Sequence, residues 1–282
     1  MRIFLAGASG VIGRRVTTSL IAQGHQVIGA TRRASHVLAR LGAEVSVVDV
    51  YDRAALAAAV AAARPDVVMH QLTDLSDGNR AANARVREEG TRNLVDAALA
   101  AGVRRVVAQS IAWTYEPGTQ PATEDVPLDL ESDADRIGTV QAVHTLEETV
   151  QQAPEWVVLR YGLFYGPETW YAPGALMAQQ AAAGRLPATA DVTSFVHVDD
   201  AAAAAVVAME WPNGFVNICD DDPAPGHDWT PAFCEAVGAP RPSRSDAPRT
   251  PWARGADNGH ARKELGWTPR WTSWREGFAE LG

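Results

Sequence analysis

The chain has 282 residues, 46% of them hydrophobic and 21% charged, and its 25 Lys+Arg against 34 Asp+Glu leave a net charge of −9. Those proportions fit a globular protein of one large domain, or a domain with a smaller lobe. The acidic balance argues against nucleic acid or an anionic membrane surface as partner, because both reward basic patches.

Residues 1–6 read as a strand rather than a signal peptide, since the glycines from Gly7 onward break the apolar stretch. Further strands are expected at 26–30, 44–48, 66–72, 105–109 and 156–161, with helices beginning near Gly10, Ser35, Arg53, Arg80 and Thr139. Apolar strands separated by helices indicate a parallel sheet covered on both faces, the doubly wound α/β (Rossmann) architecture. A single helix is expected over 80–101, closed by Gly102. Beyond residue 164 Gly and Pro punctuate the pattern, so 1–164 is expected as the dinucleotide-binding domain. Residues 165–282 are expected as a smaller substrate-binding lobe interleaved with late sheet strands. A helix is expected through 200–210 and an exposed loop at 240–251. No run of about 18 apolar residues predicts a membrane span. Cys219 and Cys234 form no disulfide framework, so the cytoplasm is the expected compartment.

The segment Gly7-Ala8-Ser9-Gly10-Val11-Ile12-Gly13 follows the first strand directly and opens a helix. Gly7 allows the tight turn, Gly10 lets backbone amides approach a pyrophosphate, and Gly13 lets helix pack closely on strand. The amides from Ser9 to Ile12 and the positive end of the helix dipole suit phosphate. An NAD-binding chain usually closes its second strand with an acid for the ribose 2′-hydroxyl. Here Thr31-Arg32-Arg33 stands there, and arginine matches a 2′-phosphate by charge and by its fork of donors. NADP(H) is therefore expected over NAD(H). Asp49 and Val50, after the third strand, are placed to bracket an adenine edge or to form a plain turn.

The chain resembles the extended short-chain dehydrogenase/reductase family, the NAD(P)-dependent epimerases and dehydratases. The resemblance rests on the glycine turn, on Gly90-Thr91-Arg92-Asn93-Leu94-Val95-Asp96-Ala97-Ala98, on Val158-Leu159-Arg160-Tyr161-Gly162 with Tyr165-Gly166-Pro167, on Phe195-Val196-His197-Val198-Asp199-Asp200-Ala201, and on Lys263-Glu264-Leu265-Gly266-Trp267-Thr268-Pro269. It implies cofactor contacts from Leu72, Thr73, Asn93, Ser110, Arg160 and Tyr161, and a structural role for His197 and Asp199. It also implies a homodimer through the helices at 80–101 and 139–151, whose Ala- and Arg-rich sequences suit either an interface or a solvated surface.

The family's proton relay is a tyrosine with a lysine four residues later, plus a serine or threonine after the fifth strand. Lys263 is the only lysine, and none of the five tyrosines has lysine at the fourth following position. Alignment on the acidic end of the helix puts Val140 and His144 in the two places, or Thr139 and Val143 one residue earlier. The hydroxyl place falls on Ser110 or Ile111. Substitute proton donors are Tyr115, beyond the fifth strand, and His144, whose ordinary pKa suits exchange near neutrality. Packing of Tyr115 against its loop and a plain helix-surface role for His144 are the alternatives.

The seven histidines show no i,i+4 pair and the cysteines no ligand spacing, so no metal is expected. No G-x-S-x-G elbow marks a serine hydrolase. Trp113, Tyr115, Tyr161, Phe164, Tyr165, Trp170, Tyr171 and Phe195 either border the crevice, which points to an apolar or aromatic small-molecule substrate, or simply form core between the lobes. The expected function is an NADP(H)-dependent oxidoreductase acting on a small carbonyl, alcohol or alkene with a non-standard proton donor. The alternatives are a cofactor-retaining epimerase, dehydratase or cyclase, and a dinucleotide-sensing binding protein that has lost catalysis.

Overall fold

A computed structural model of the chain describes residues 1–75 and 79–281. In chain order it forms β1 (Arg2–Ala6), α1 (Val11–Ala22), β2 (Gln26–Thr31), α2 (His36–Arg40), β3 (Glu44–Val47), α3 (Arg53–Ala63), β4 (Val67–His70), α4 (Arg80–Arg85), α5 (Thr91–Ala100), β5 (Arg105–Ile111), α6 (Ile137–Val150) and β6 (Glu155–Tyr161). There follow β7 (Leu163–Tyr165), α7 (Leu176–Ala182), β8 (Val192–Thr193), β9 (Phe195–His197), α8 (Val198–Val207), β10 (Gly214–Ile218), β11 (Ala224–Pro225), α9 (Gly226–Ala236), α10 (Gly259–Lys263) and α11 (Trp274–Ala279).

Seven strands form one parallel sheet in the order β10-β6-β5-β4-β1-β2-β3, with β1 paired to β2 on one side and β4 on the other. The order reverses at β1, which makes the carboxyl ends of β1 and β4 the switch point where such sheets hold ligands. Strand β4 reads Val-Val-Met-His and is buried throughout, as expected of a strand covered on both faces. Side-chain caps fix several helix starts: Ser35 accepts from Leu38 N–H, and Asp52 from Ala55 N–H.

Two compact units emerge, each drawn from three stretches of chain. The first comprises Met1–Ser110, Leu130–Leu159 and Ala202–Phe215; the second comprises Ile111–Asp129, Arg160–Ala201 and Val216–Gly282. The sequence suggests a second lobe from residue 165 interleaved with late sheet strands; the units interleave from residue 111 onward, because β5, β6 and β10 each carry the chain from the first unit into the second. The first unit's core is aliphatic, built on Phe4, Ile28, Leu56, Val60, Val68, Leu94, Val106 and Leu146. The second unit's core is aromatic: Tyr165, Tyr171, Phe195, Trp229, Phe233, Trp271, Trp274 and Phe278 pack together, several edge to face.

The helix expected over 80–101 runs unbroken from Arg80 to Ala100, with a π-helical turn over Val86–Gly90 between α4 and α5. The extra residue re-phases the helix, so Arg87 is buried and the Thr91 hydroxyl meets both His70 Nε2, at 2.9 Å, and the Val86 carbonyl. Tyr165, Tyr171 and Phe195, expected at the crevice or in the core, belong to the second unit's core, where ring area contributes most to stability. The expected loop at 240–251 is largely exposed.

Two buried groups set a pH dependence. Burial lowers His70 to about 4 from its ordinary 6.5, so the charged form is penalised and stability rises as pH climbs from about 4 to 6.5. Burial raises Asp220 to about 8, with Asp222 and Asp221 adding to the effect against two backbone hydrogen bonds. The folded state therefore holds a proton the unfolded chain loses near pH 4, and stability falls as pH rises towards 8. Between pH 4 and 6.5 the two slopes oppose each other, and above 6.5 only that of Asp220 remains. Denaturant unfolding should show stability falling by about 2 kcal/mol between pH 6.5 and 8. Asp220→Asn should flatten that decline.

Candidate active site

Backbone geometry builds the phosphate-facing turn. Gly7 takes a φ of +86°, and a Cβ there would lie 2.3 Å from the Gln71 carbonyl oxygen. A Cβ on Gly13 would lie 2.1 Å from the Gly7 carbonyl oxygen. No side chain other than hydrogen fits at either position. Gly10 caps α1 from an extended conformation without a side-chain hydrogen bond, and the first turn carries no acid. The amides and dipole at the start of α1 are thus left for an outside anion. Gln71, beside this turn, is 5% exposed, and neither polar atom of its amide has a partner.

A cavity of the first unit extends from the same strand ends. Thr31, Arg32, Val48, Val50, Tyr51, Leu72, Thr73 and Asp74 line most of it. The Ser9 and Thr31 hydroxyls approach to 3.3 Å. Arg32 Nη1 lies 3.7 Å from Asp74 Oδ2, with most of the arginine side chain exposed. Arg33 is exposed. Asp49 caps its own turn by accepting from Tyr51 N–H at 3.0 Å, and Asn93 donates to the Val50 carbonyl at 2.9 Å, so both position this wall of the cavity. Tyr51, which the sequence reading passed over, lies under the Arg85 guanidinium at 3.9 Å. The glycine turn, the uncapped helix, the orphaned Gln71 amide and the adjoining cavity fit a dinucleotide.

The places expected for the proton relay hold other things. Val140 is fully buried on α6. His144 is partly exposed, with Nδ1 3.5 Å from Glu148. Ser110 Oγ donates to Glu147 Oε1 at 2.8 Å, both residues being buried. Glu147 in turn supports the buried Arg87, which desolvation lowers to about 10 while the carboxylate opposes the shift. The Ser110 hydroxyl is thus engaged by a buried carboxylate. Sequence reasoning missed Arg87 and Glu147, because a charged residue at a helix position reads as solvated.

In the second unit, the Tyr115 hydroxyl donates to Asn217 Oδ1 at 2.5 Å and accepts from Arg160 Nη1 at 3.0 Å, and its ring is 1% exposed. Tyr161 donates to the Ala201 carbonyl at 3.3 Å. His197 stacks on Trp271 at 3.7 Å and accepts from Asp199 N–H through Nδ1. A second cavity, of about 360 Å³, is lined by Trp113, Tyr115, Leu163, Asp191, Trp252 and their neighbours. Of the aromatics expected around the substrate, only Trp113 and Tyr115 are here; Trp252, just past a polar loop, gave no signal in the sequence. No lysine, arginine or histidine is among the lining residues.

The chain matches the NAD dependent epimerase/dehydratase family over residues 3–219. It belongs to that family. It is 45% identical to a 3-diazoavenalumate denitrifying reductase of a Streptomyces species, over 99% of each chain. It is 28% identical to a UDP-glucose 4-epimerase of Mycolicibacterium smegmatis, over 99% of this chain and 97% of the other. Among solved structures, the UDP-glucose 4-epimerase of Thermotoga maritima, with UDP-glucose, superposes with a TM-score of 0.78 at 23% identity, covering 100% of this chain and 97% of that one. Bordetella bronchiseptica WbmG, in complex with NAD and UDP, gives 0.80 at 21%, covering 100% and 92%. These likenesses agree with the doubly wound fold. This family member is an NAD(P)-dependent enzyme of the oxidoreductase or epimerase/dehydratase type.

The glycine turn yields the sharpest structural test in this family member. Gly13→Ala forces a methyl against a carbonyl oxygen that cannot retreat without moving β1. The variant should lose dinucleotide binding by more than about 100-fold and roughly 3 kcal/mol of stability, in the range for overpacked sites. Fluorescence titration with NADPH and thermal unfolding read the two effects.

Proposed function

We propose that this protein is an NADPH-dependent reductase that removes a diazo group from an aromatic substrate, replacing it by hydrogen. The observation that carries the reading is the 45% identity, over 99% of each chain, to a relative named a denitrifying reductase of a diazo acid. The missing relay supports it independently. Reduction of a carbonyl places negative charge on oxygen and calls for a proton donor. Reductive loss of dinitrogen from an arenediazonium does not: hydride arrives, a C–H bond forms, and the C–N bonding pair leaves with N2. When bound, the dinucleotide supplies that hydride. Val140 or Thr139 in the tyrosine place, and Ser110 tied to Glu147, then cost the reaction nothing. The chain's own residues hold the phosphates at the start of α1, and Trp113 and Trp252 offer flat apolar walls to a ring.

A nucleotide-sugar substrate is the weaker reading. Its pyrophosphate calls for arginine or lysine, and the second cavity is lined by neither. The preference for NADPH is supported by Arg32 on the cavity wall and by the absence of an acid at the end of β2. Two unpaired, buried cysteines suit a reducing compartment, in keeping with the cytoplasm.

With an arenediazonium acid and NADPH deuterated at C4, each turnover should release one N2 and place one deuterium on the carbon that bore nitrogen. Turnover in D2O with ordinary NADPH should leave that carbon undeuterated. A product that retains nitrogen, or no NADPH consumption with any arenediazonium, would overturn the reading. Arg32→Ala should weaken NADPH by about 10- to 100-fold, the worth of one charged hydrogen bond, and leave NADH within about twofold. Equal losses for both cofactors would remove Arg32 from the nucleotide preference.

A further inference from the structure

The second cavity carries a charge pattern that neither the family nor the relatives' names assign. Its lining residues include Trp113, Tyr115, Leu163 and Trp252, and besides Tyr115 the one ionisable residue among the described lining residues is Asp191. Asp191 is half-buried. Its Oδ1 accepts from Thr250 N–H at 2.7 Å, and its backbone is tied to Thr189 Oγ1 and to Gly226 N–H, so the residue is fixed from three sides. Among the described residues no cation lies within ion-pair distance of the carboxylate. The nearby guanidinium groups are used elsewhere: Arg249 donates to the carbonyls of Gly118, Pro251 and Ala253, and Arg254 to those of Gln120 and Glu116. Neither side chain reaches the cavity lining.

An anchored carboxylate among aromatic residues, with no basic residue among the described lining residues, disfavours anions and favours cations. An indole face turned to a bound cation would add to that attraction, because its quadrupole presents negative charge. We propose that this cavity recognises a cationic arene, with Asp191 as the residue that sets the charge preference and Trp113 and Trp252 as the ring-binding walls. The inference deepens the proposed diazo reduction and rests on it for the identity of the natural cation: an arenediazonium is a ring bearing a positive charge. Carbonyl substrates offer no such charge, and sugar nucleotides carry the opposite one.

A binding experiment without cofactor or turnover tests this apart from the reaction. The probes are (4-hydroxyphenyl)trimethylammonium and 4-tert-butylphenol, two rings of the same shape that differ in charge, titrated by calorimetry or tryptophan fluorescence. The wild-type protein should bind the cationic probe about tenfold tighter than the neutral one, the order expected for a partly desolvated cation on aromatic walls. Raising NaCl from 0.05 to 0.5 M should erode that advantage and leave the neutral probe unchanged. Asp191→Asn keeps an oxygen for Thr250 N–H, so the loop stays anchored, and it should bring the two affinities to within about twofold. Asp191→Glu should restore part of the preference.

Equal affinities in the wild-type protein would overturn the proposal, as would a preference that survives both Asp191→Asn and high salt. The two proposals can fail separately. A cation preference without diazonium reduction leaves the cavity assignment standing and removes the reaction; reduction without the preference does the reverse.

Discussion

Everything at the cofactor end depends on one backbone contact. Strand β1 and helix α1 meet so closely that the space above the Gly7 carbonyl oxygen accepts only a hydrogen at Gly13. That contact sets the direction in which α1 leaves the sheet, and hence where its unsatisfied amides point. Thr31, Arg32, Leu72 and Thr73 line one cavity because their strand ends open beside those amides. The contact also explains why a turn of seven residues was the most legible part of the chain: it tolerates almost no alternatives.

The family's fold encloses a buried charged network here. On α6 Val140 is buried and His144 half-exposed, and Ser110 is held by Glu147 opposite the buried Arg87. Buried charges of this kind are costly unless satisfied together, so the network makes a rigid floor.

The sequence displayed what is periodic or sterically forced. The strand and helix order, the glycine turn and the arginines after β2 could all be read, because each is fixed by neighbours within about twenty residues. Two kinds of feature escaped. The π turn at Val86–Gly90 is set by tertiary partners of Arg87 and Thr91, and its sequence is ordinary helix. The division of aromatic residues between core and cavity was hidden too, because Tyr165 and Trp113 look alike until long-range packing sorts them. Asp191, Trp252 and Trp113 come from three distant segments, and no local spacing announces such a meeting.

The threading of the two units carries an evolutionary consequence. The second unit is assembled from three separate stretches that alternate with stretches of the first. No single cut of the chain yields either unit whole, and no single crossover between relatives can exchange one unit for the other. Change confined to the second unit must come by substitutions inside its three stretches, one side chain at a time.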